Sequence, residues 1–485
     1  MSLKTDIEQI FSDNINYKNP SQAVNQASSL NALSSDLYTD SKRFIYELLQ
    51  NADDSSQCSE AVKVWIKIFD DNLVVAHSGS PFTTRDIQGI CNVNNGTKKS
   101  DLTKTGYKGI GFKSVFGQSD KVTIFTKDGY FRFDASYSFE WKWEEPKAVW
   151  ENKNDRKFQF PWQIIPIYTE ENEILEPISQ FIRDNRANVA TIIQMKNVNE
   201  TSQATQILSQ NINMFLFLKN ICEINFDITE SVTVKIDRTK KDRIILQKGN
   251  SSKIDWLINT IGLTIPNYVK DVLQDERNIP EKLINTDTIE MSLAAKVGSD
   301  GIVQISNQEK LLYSYLPTDE TKYSLPVIVN TSFLTTTNRE SLHADSKWNQ
   351  WLFKTVAIEI FKWISKLVDT EFHFQAYQLI PKDTIADELG KKFNEGIKDA
   401  LEKIPFVLSR EGQHLKIEDT IVDFTYLSEK KFIGEEPIKK FVFKDKTNEI
   451  GASKQFAKSS DFFSAFKRLG APCFEWRDIN SFLIS

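Results

Sequence analysis

The chain has 485 residues, of which 40% are hydrophobic and 26% are charged, and these proportions are ordinary for a globular protein. Its length predicts two to four domains that are large enough to bury hydrophobic cores. The formal net charge of −6 and a pI near 5.6 exclude a general basic field, so nucleic acid and acidic membranes are not indicated as partners.

Cysteine and histidine usage does not suggest a metal centre. The four cysteines form no C-x-x-C pair, and the four histidines are as widely scattered. This spacing disfavours a disulfide framework or a structural zinc site and fits a reducing compartment. No run approaches the roughly 18 apolar residues that a membrane span needs, and the N-terminus does not read as a signal peptide. A cytoplasmic protein with no membrane partner is therefore expected.

The N-terminal part of the chain predicts a helix and then a strand hairpin. Residues 15–40 are rich in Asn and Ser and predict an irregular arm with short helical pieces. A strong helix is predicted from Ser41, over SKRFIYELLQNADD. The alternation in VKVWIKI predicts a strand with LVVA as its hairpin partner, and TTRD predicts a capping box that begins another helix.

A polar, glycine-bearing segment follows. NVNNGTKKSDLTKTGYKGIGFKS predicts a mobile loop that closes on a glycine turn. KVTIFTKDGYFRFD then predicts a hairpin about Asp128-Gly129, and VATIIQMK predicts a further strand. This order of elements predicts an α/β sandwich in which helices cover one face of the sheet.

The pattern changes after residue 222. The segments SVTVKIDR, RIILQK, GIVQIS and LPVIVN predict the strands of a second, mixed α/β domain, closed by the aromatic-rich helix WNQWLFKTVAIEIFKWISKLV. We therefore predict domains at 1–222 and 223–372, and a C-terminal mixed domain at 373–485 whose role the sequence does not indicate. Apolar residues up to the C-terminus suggest the front part of a longer protein, although a compact final domain gives the same pattern.

Three polar residues of the predicted helix share one stripe. Glu47, Asn51 and Asp54 are spaced four and three apart, which places them within about 60° of one another around the helix axis. An amide oxygen can coordinate Mg²⁺ that bridges phosphates, and a carboxylate can orient and deprotonate an attacking water. The alternative is the solvated face of an amphipathic helix.

The second element is the glycine segment TGYKGIGFKSVF. Gly106, Gly109 and Gly111 allow backbone N–H groups to approach phosphates closely, and the following helix adds a favourable dipole. The segment is not a Walker A loop, because Phe112 separates the last glycine from Lys113. The order of its glycines is also not that of the Rossmann fingerprint.

Together these motifs resemble the GHKL superfamily of ATPases, in which E-x-x-x-N-x-x-D on a helix precedes G-x-x-G-x-G and a trailing serine. The sequence is most similar to the sacsin-like branch, through ELLQNADD, SGSPFTTRDI, FPWQIIPI, YSYLPT, PVIVNTSFLTTTNRESL and WNQWL. The resemblance covers most of residues 30–370. It implies an N-terminal Bergerat ATPase fold that binds ATP and Mg²⁺, a transducer-like second domain and a C-terminal α/β extension.

The resemblance also implies roles for individual residues. Glu47 resembles the catalytic base, Asn51 the Mg²⁺ ligand, and Asp54 a residue that supports the nucleotide pocket. Thr191 in VATIIQMK lies where the family has a threonine that assists adenine binding. The segment that resembles the lid turn over the phosphates comprises Gly106, Lys108, Gly109, Ile110, Gly111, Phe112, Lys113 and Ser114.

One position departs from the family pattern. Where the family has an aspartate that accepts the adenine amino hydrogen, VVAHSGSPF has His77; Gly79 is retained, and Pro81 stands at the second glycine position. A neutral imidazole nitrogen can accept the same hydrogen bond if its tautomer is right. The alternatives are relaxed adenine specificity, a degenerate site, or an ordinary residue at a strand end.

In the second domain, Arg339 of TTTNRESL resembles the basic residue with which a transducer domain contacts the γ-phosphate. Such a charge also stabilises the transition state. The alternative is an arginine in an ordinary turn salt bridge.

The sequence therefore predicts a slow, Mg²⁺-dependent ATPase whose lid, residues 92–111, closes to move a second domain. It would be chaperone-like or serve a larger assembly such as a bacterial defence complex, with an unknown protein partner or client. ATP-dependent homodimerisation through residues 1–40 is expected by analogy. The alternative is a non-hydrolysing nucleotide-binding scaffold. A histidine kinase is not supported, because no phospho-acceptor helix is visible.

Overall fold

The computed structural model of the chain describes residues 2–36, 43–56, 61–92, 111–127, 129–275, 281–305, 311–336, 341–382, 386–443 and 454–484. The chain divides into two compact units. The first unit comprises Met1–Lys253, Asn278–Thr286 and Thr336–Arg339. The second unit comprises Ile254–Arg277, Asp287–Thr335 and Glu340–Ser485.

Helices and strands alternate along both units, so the predicted α/β class is confirmed. The helices in the described ranges are α1 (Leu3–Asn14), α2 (Pro20–Asp36), α3 (Arg43–Asp54), α4 (Thr84–Cys91), α5 (Val115–Gln118), α6 (Lys147–Asn154), α7 (Glu176–Asp184), α8 (Val198–Gln210), α9 (Asn267–Asp275), α10 (Glu281–Ile284), α11 (Lys347–Leu367), α12 (Glu388–Lys403), α13 (Glu435–Val442), α14 (Phe463–Arg468) and α15 (Ile479–Ile484).

The strands of the same ranges are β1 (Val62–Phe69), β2 (Asn72–His77), β3 (Lys121–Thr126), β4 (Gly129–Asp134), β5 (Ile167–Thr169), β6 (Val189–Gln194), β7 (Ile221–Asp227), β8 (Ser231–Asp237), β9 (Arg243–Lys248), β10 (Ile254–Thr264), β11 (Thr288–Gly298), β12 (Gly301–Val303), β13 (Leu312–Ser314), β14 (Leu316–Pro317), β15 (Ile328–Thr331), β16 (Val407–Leu408), β17 (His414–Leu415), β18 (Thr420–Asp423), β19 (Gln455–Phe456) and β20 (Cys473–Phe474).

In the first unit the strand order is β9-β8-β7-β1-β2-β6-β3-β4-β5. β1 and β7 run parallel, and the other neighbours are antiparallel. The predicted hairpins β1/β2 and β3/β4 are confirmed, although Asp128 itself lies outside the described residues. Successive side chains point to opposite faces, so alternate residues of β2 and β6 line each face.

Helix α7 covers one face of this sheet. Ile178 and Ile182 of α7 pack in one buried cluster with Val74 and Ala76 of β2 and with Ile192 of β6. The intervening residues of β2 therefore point to the other face, and His77 is one of them. Helix α3 lies against β1 and against the short 3₁₀ helix Gly111–Ser114.

The N-terminal arm is more regular than predicted. Residues 20–36 form a single 17-residue helix, α2, not short helical pieces. Ala23, Ala27 and Leu30 are spaced four and three apart and are buried, so they form a stripe of mostly small residues within an Asn- and Ser-rich sequence. Leu30 packs in a cluster with Ile164 and Ile165, and this tertiary contact is not readable from local composition.

The second unit contains the strand order β14-β13-β15-β11-β10, with β12 paired to β11. The predicted aromatic-rich helix is confirmed as α11, which packs against α12. Near the C-terminus, β19, β18 and β20 form a small parallel sheet over a core of Ile421, Ile438, Phe443, Phe456 and Phe474. Within the described ranges, no helix is both long enough and apolar enough to cross a membrane.

Candidate functional site

Helix α3 carries the predicted acid–amide stripe. Glu47 is only 6% exposed, while Asn51 and Asp54 are half-buried. The predicted apolar face of the helix is buried, and so is most of the rest of its circumference. At Glu47 the stripe is therefore not a solvated face, and this carboxylate is held in the interior of the first unit.

The C-terminal end of α3 is fixed by Asp53, which is 1% exposed. Its Oδ1 accepts the backbone N–H groups of Asn220 at 2.7 Å and Ile221 at 2.8 Å, and its Oδ2 accepts that of Lys219 at 2.8 Å. In return, the Asn220 side chain donates to the Asp53 carbonyl at 2.8 Å. Hydrogen bonds to a charged acceptor are worth about 1.5–3 kcal/mol each, so this anchor sets the position of α3 beside β7.

His77 ends β2 at a tight turn that faces the end of α3. Its Nδ1 accepts the backbone N–H of Gly79 at 3.2 Å and lies 3.5 Å from the hydroxyl of Ser55. The Ser55 hydroxyl donates to the Ala52 carbonyl at 2.6 Å, and the Ser55 carbonyl accepts the N–H of Ser80 at 3.0 Å. The retained glycine has a steric reason: a Cβ on Gly79 would lie 1.8 Å from the Ser55 hydroxyl oxygen.

The imidazole of His77 is neutral at physiological pH. The side chain is 5% exposed, and burial lowers its pKa from the ordinary 6.5 to about 4. Desolvation disfavours the charged ring, and the hydrogen bond from Gly79 requires a lone pair on Nδ1. His77 is therefore a buried residue, and the alternative of an ordinary core residue at a strand end stays open.

Thr191 lies on the same face of the sheet as His77. Val75 of β2 pairs with Thr191 of β6, and His77 pairs with Val189, so the two polar side chains are diagonal neighbours across the strands. Thr191 is 4% exposed. The structure thus places His77 and Thr191 on one face of the sheet, and places His77 and Gly79 next to Ser55, which follows α3.

Only the end of the glycine segment falls in the described ranges. Gly111 to Ser114 form the 3₁₀ helix that leads into α5, in agreement with the predicted helix start, and it contacts α3. Lys113 and Ser114 are buried there, and Phe112 is half-buried. Gly106, Lys108, Gly109 and Ile110, together with Arg339 of the second predicted domain, lie outside the described residues.

Lys113 makes contacts that the sequence did not indicate. Its ammonium donates to the carbonyl of Ile90 at 2.5 Å and to that of Gln163 at 3.0 Å, and it lies 5.2 Å from the ring centre of Phe116. Burial lowers the pKa of Lys113 from 10.5 to about 8, and the neighbouring Cys91 opposes this shift. The Lys113 ammonium thus joins α4 to the segment around Gln163, and its contact with phosphate stays a prediction.

Two residues that build the site were missed in the sequence. Asp53 and Ser55 flank Asp54, and the helical spacing from Glu47 and Asn51 predicts Asp54 as the site residue instead. The acidic doublet at a helix end was the available signal for Asp53, since a carboxylate there can receive N–H groups of a following segment. Ser55 had no local signal, because its role depends on a turn that lies 24 residues further along the chain.

Parts of the chain are similar in sequence to known proteins. Residues 31–241 match the family model described as Sacsin domain. The chain is 24% identical over 332 residues, 67% of its length, to Protein NO VEIN of Arabidopsis thaliana. It is 27% identical over 315 residues, 57% of its length, to human Sacsin.

The matched regions make up 11% and 7% of these two relatives, so the chain spans about a tenth of their length or less. Over the matched residues the chain is sacsin-like. All the described site residues, from Glu47 to Thr191, lie within the matched range 31–241.

Proposed function

We propose that the first unit binds a purine nucleoside triphosphate with Mg²⁺ and hydrolyses it slowly, with ATP as the nucleotide that the family resemblance implies. The observation that carries this proposal is Glu47: a carboxylate buried to 6% exposure on a helix that Asp53 anchors by three backbone hydrogen bonds. A carboxylate that is fixed in position in this way meets the geometric requirement of a general base.

Asn51 and Glu47 lie one helical turn apart. In the proposed site, Asn51 would hold Mg²⁺ through its amide oxygen, since oxygen donors are the ligands that this ion prefers. Glu47 orients the attacking water and accepts its proton. Asp54 supports the pocket, and the base lies towards His77 and Thr191.

Several finer parts of the sequence prediction stay proposals. Phosphate contacts from the glycine segment, the γ-phosphate contact of Arg339, ATP-dependent homodimerisation and a protein client all belong to this group. A chaperone-like role and a role in a larger assembly are also proposals. The chain corresponds to a small part of its relatives, so what those whole proteins do is not shown for it. A cytoplasmic location is likewise proposed.

Binding is tested by calorimetric titration of the native chain with non-hydrolysable triphosphate analogues and Mg²⁺. We expect Asn51→Ala to remove Mg²⁺-dependent binding, whereas Asn152→Ala, on the exposed surface of α6, leaves it unchanged. The absence of nucleotide binding by the native chain would overturn the proposal.

Hydrolysis is tested with Glu47→Gln, which preserves volume and removes the base. We expect phosphate release to fall by about 10²–10⁴-fold, the usual contribution of a positioned base, while nucleotide binding persists. Glu144→Gln, at an exposed position, is the matched control. Unchanged phosphate release by Glu47→Gln would remove Glu47 from its proposed role.

A further inference from the structure

The hydrogen bonds of His77 determine which of its ring nitrogens carries the proton. Gly79 donates its backbone N–H to Nδ1, so Nδ1 presents a lone pair. The other polar group near Nδ1 is the Ser55 hydroxyl, and its proton is directed to the Ala52 carbonyl. A neutral imidazole with an unprotonated Nδ1 carries its hydrogen on Nε2, so Nε2 is a donor.

This donor has no partner within the described part of the chain. The hydrogen bonds of the His77 side chain there both involve Nδ1, and the hydroxyl of Thr191, on the same face, makes no side-chain hydrogen bond to any described residue. Both residues are almost completely buried. A bound ligand that reaches this adjacent pair can supply both groups with a hydrogen-bond partner.

Resting on the proposed nucleotide site, we propose that His77 selects a purine with a hydrogen-bond acceptor at position 6, such as guanine or hypoxanthine, over adenine. An aspartate at this position accepts a hydrogen from the adenine amino group, whereas the Nε2–H of His77 donates one. Facing His77, the adenine amino group would place donor against donor, while a 6-oxo group accepts the hydrogen. The Thr191 hydroxyl can donate or accept, so it does not discriminate between the two bases.

The turn geometry keeps His77 in this state. A Cβ on Gly79 would lie 1.8 Å from the Ser55 oxygen and 3.0 Å from Nδ1, so only glycine allows the backbone N–H to approach the ring in this way. The N–H of Ser80 is also tied to the Ser55 carbonyl. Reversal of the tautomer would break the Gly79 hydrogen bond and leave a buried N–H facing a ring N–H.

The test measures dissociation constants of the native 485-residue chain for four β,γ-imido triphosphates with Mg²⁺: those of inosine, guanosine, adenosine and unsubstituted purine riboside. Adenine and hypoxanthine differ only on the edge at positions 1 and 6. We expect the inosine and guanosine nucleotides to bind at least about tenfold more tightly than the adenosine nucleotide, with purine riboside in between.

Each outcome decides between alternatives. Equal or tighter binding of the adenosine nucleotide overturns the inference and leaves the proposed function standing. Tightest binding of the purine riboside nucleotide also overturns it, because that result would indicate donation to N1, a lone pair that hypoxanthine lacks. Failure of all four nucleotides to bind overturns the proposed function and the inference with it.

A substitution tests the same polarity from the protein side. His77→Asp replaces the donor with an acceptor, so we expect the preference to reverse in favour of the adenosine nucleotide, with His373→Asp, at an exposed position, as the control. Thermal melting establishes that the variant is folded. If it is not, the four-nucleotide comparison on the native chain decides the question alone. A folded variant with an unchanged preference would refute the inference.

Discussion

The anchor at Asp53 predicts a large loss of stability from a change of one atom. In Asp53→Asn, the side chain keeps one acceptor oxygen, which can serve the N–H groups of Asn220 and Ile221. The new amide nitrogen then faces the N–H of Lys219, donor against donor. Loss of the charge weakens the two retained bonds by about 1 kcal/mol each, and the unpaired N–H costs about 1–3 kcal/mol.

The free energy of unfolding of the first unit should therefore fall by about 3–5 kcal/mol, which corresponds to a decrease in Tm of about 10 °C for a unit of this size. The assay is urea unfolding followed by tryptophan fluorescence and, in parallel, by far-UV circular dichroism. Asp13→Asn, at an exposed position of α1, is the control and should stay within about 0.5 kcal/mol of the native chain.

A free energy of unfolding for Asp53→Asn within about 0.5 kcal/mol of the native value would refute this reasoning. It would mean that the three hydrogen bonds add nothing beyond what water provides in the unfolded chain, and that packing of the apolar residues of α3 alone holds the helix.

Two further predictions concern the turn at His77, one for the pH dependence of stability and one for a substitution at Gly79. Because the pKa of His77 is 6.5 in the unfolded chain and about 4 in the folded one, the unfolded state binds more protons between these values, and the free energy of unfolding falls as pH drops through this window. The loss in the free energy of unfolding approaches about 3 kcal/mol near pH 4. In urea titrations at a series of pH values, His77→Gln should lack this part of the pH dependence. If the variant keeps the pH profile of the native chain, the burial of a neutral ring is contradicted. Gly79→Ala should lower stability by about 1–3 kcal/mol through its clash with Ser55, and Ser55→Gly in the same chain should restore part of this loss; strictly additive effects would contradict the contact.

Much of the fold was predictable because its elements have strong local signals. The alternation in VKVWIKIF follows directly from a strand with one buried face, and the capping box at Thr83 and Asp86 is present with both of its hydrogen bonds. Helix α2 was predicted as irregular because its buried stripe consists mostly of alanine, whose small size gives a weak periodic signal. The predicted division at residues 222 and 372 stays a prediction.

The candidate site was predictable only in part. Its chemically active side chains form a local sequence pattern, whereas the contacts that hold them in place join distant segments. Glu47 and Asn51 are visible as a helical spacing, which is a local property. The contacts of Asp53, Ser55 and Lys113 join segments far apart in the sequence, so no local pattern could indicate that Lys113 would bind two carbonyls. The state of His77 also depends on the hydrogen bond from the Gly79 backbone N–H, which no pattern of side chains in the sequence indicates.

The combination of Glu47 and His77 argues against a pocket that has simply lost its function. Glu47 is held in the interior one helical turn from Asn51, and the turn at Gly79 has no room for a Cβ while Ser55 and His77 keep their positions. In the proposed site, the part that would act on phosphate contains the acid–amide pair. The part that would bind the base contains His77, whose hydrogen bond from Gly79 leaves a donor where the resembled family has an acceptor. A change of preferred base explains both halves at once, because it alters recognition and leaves the hydrolytic residues under the same requirement as before.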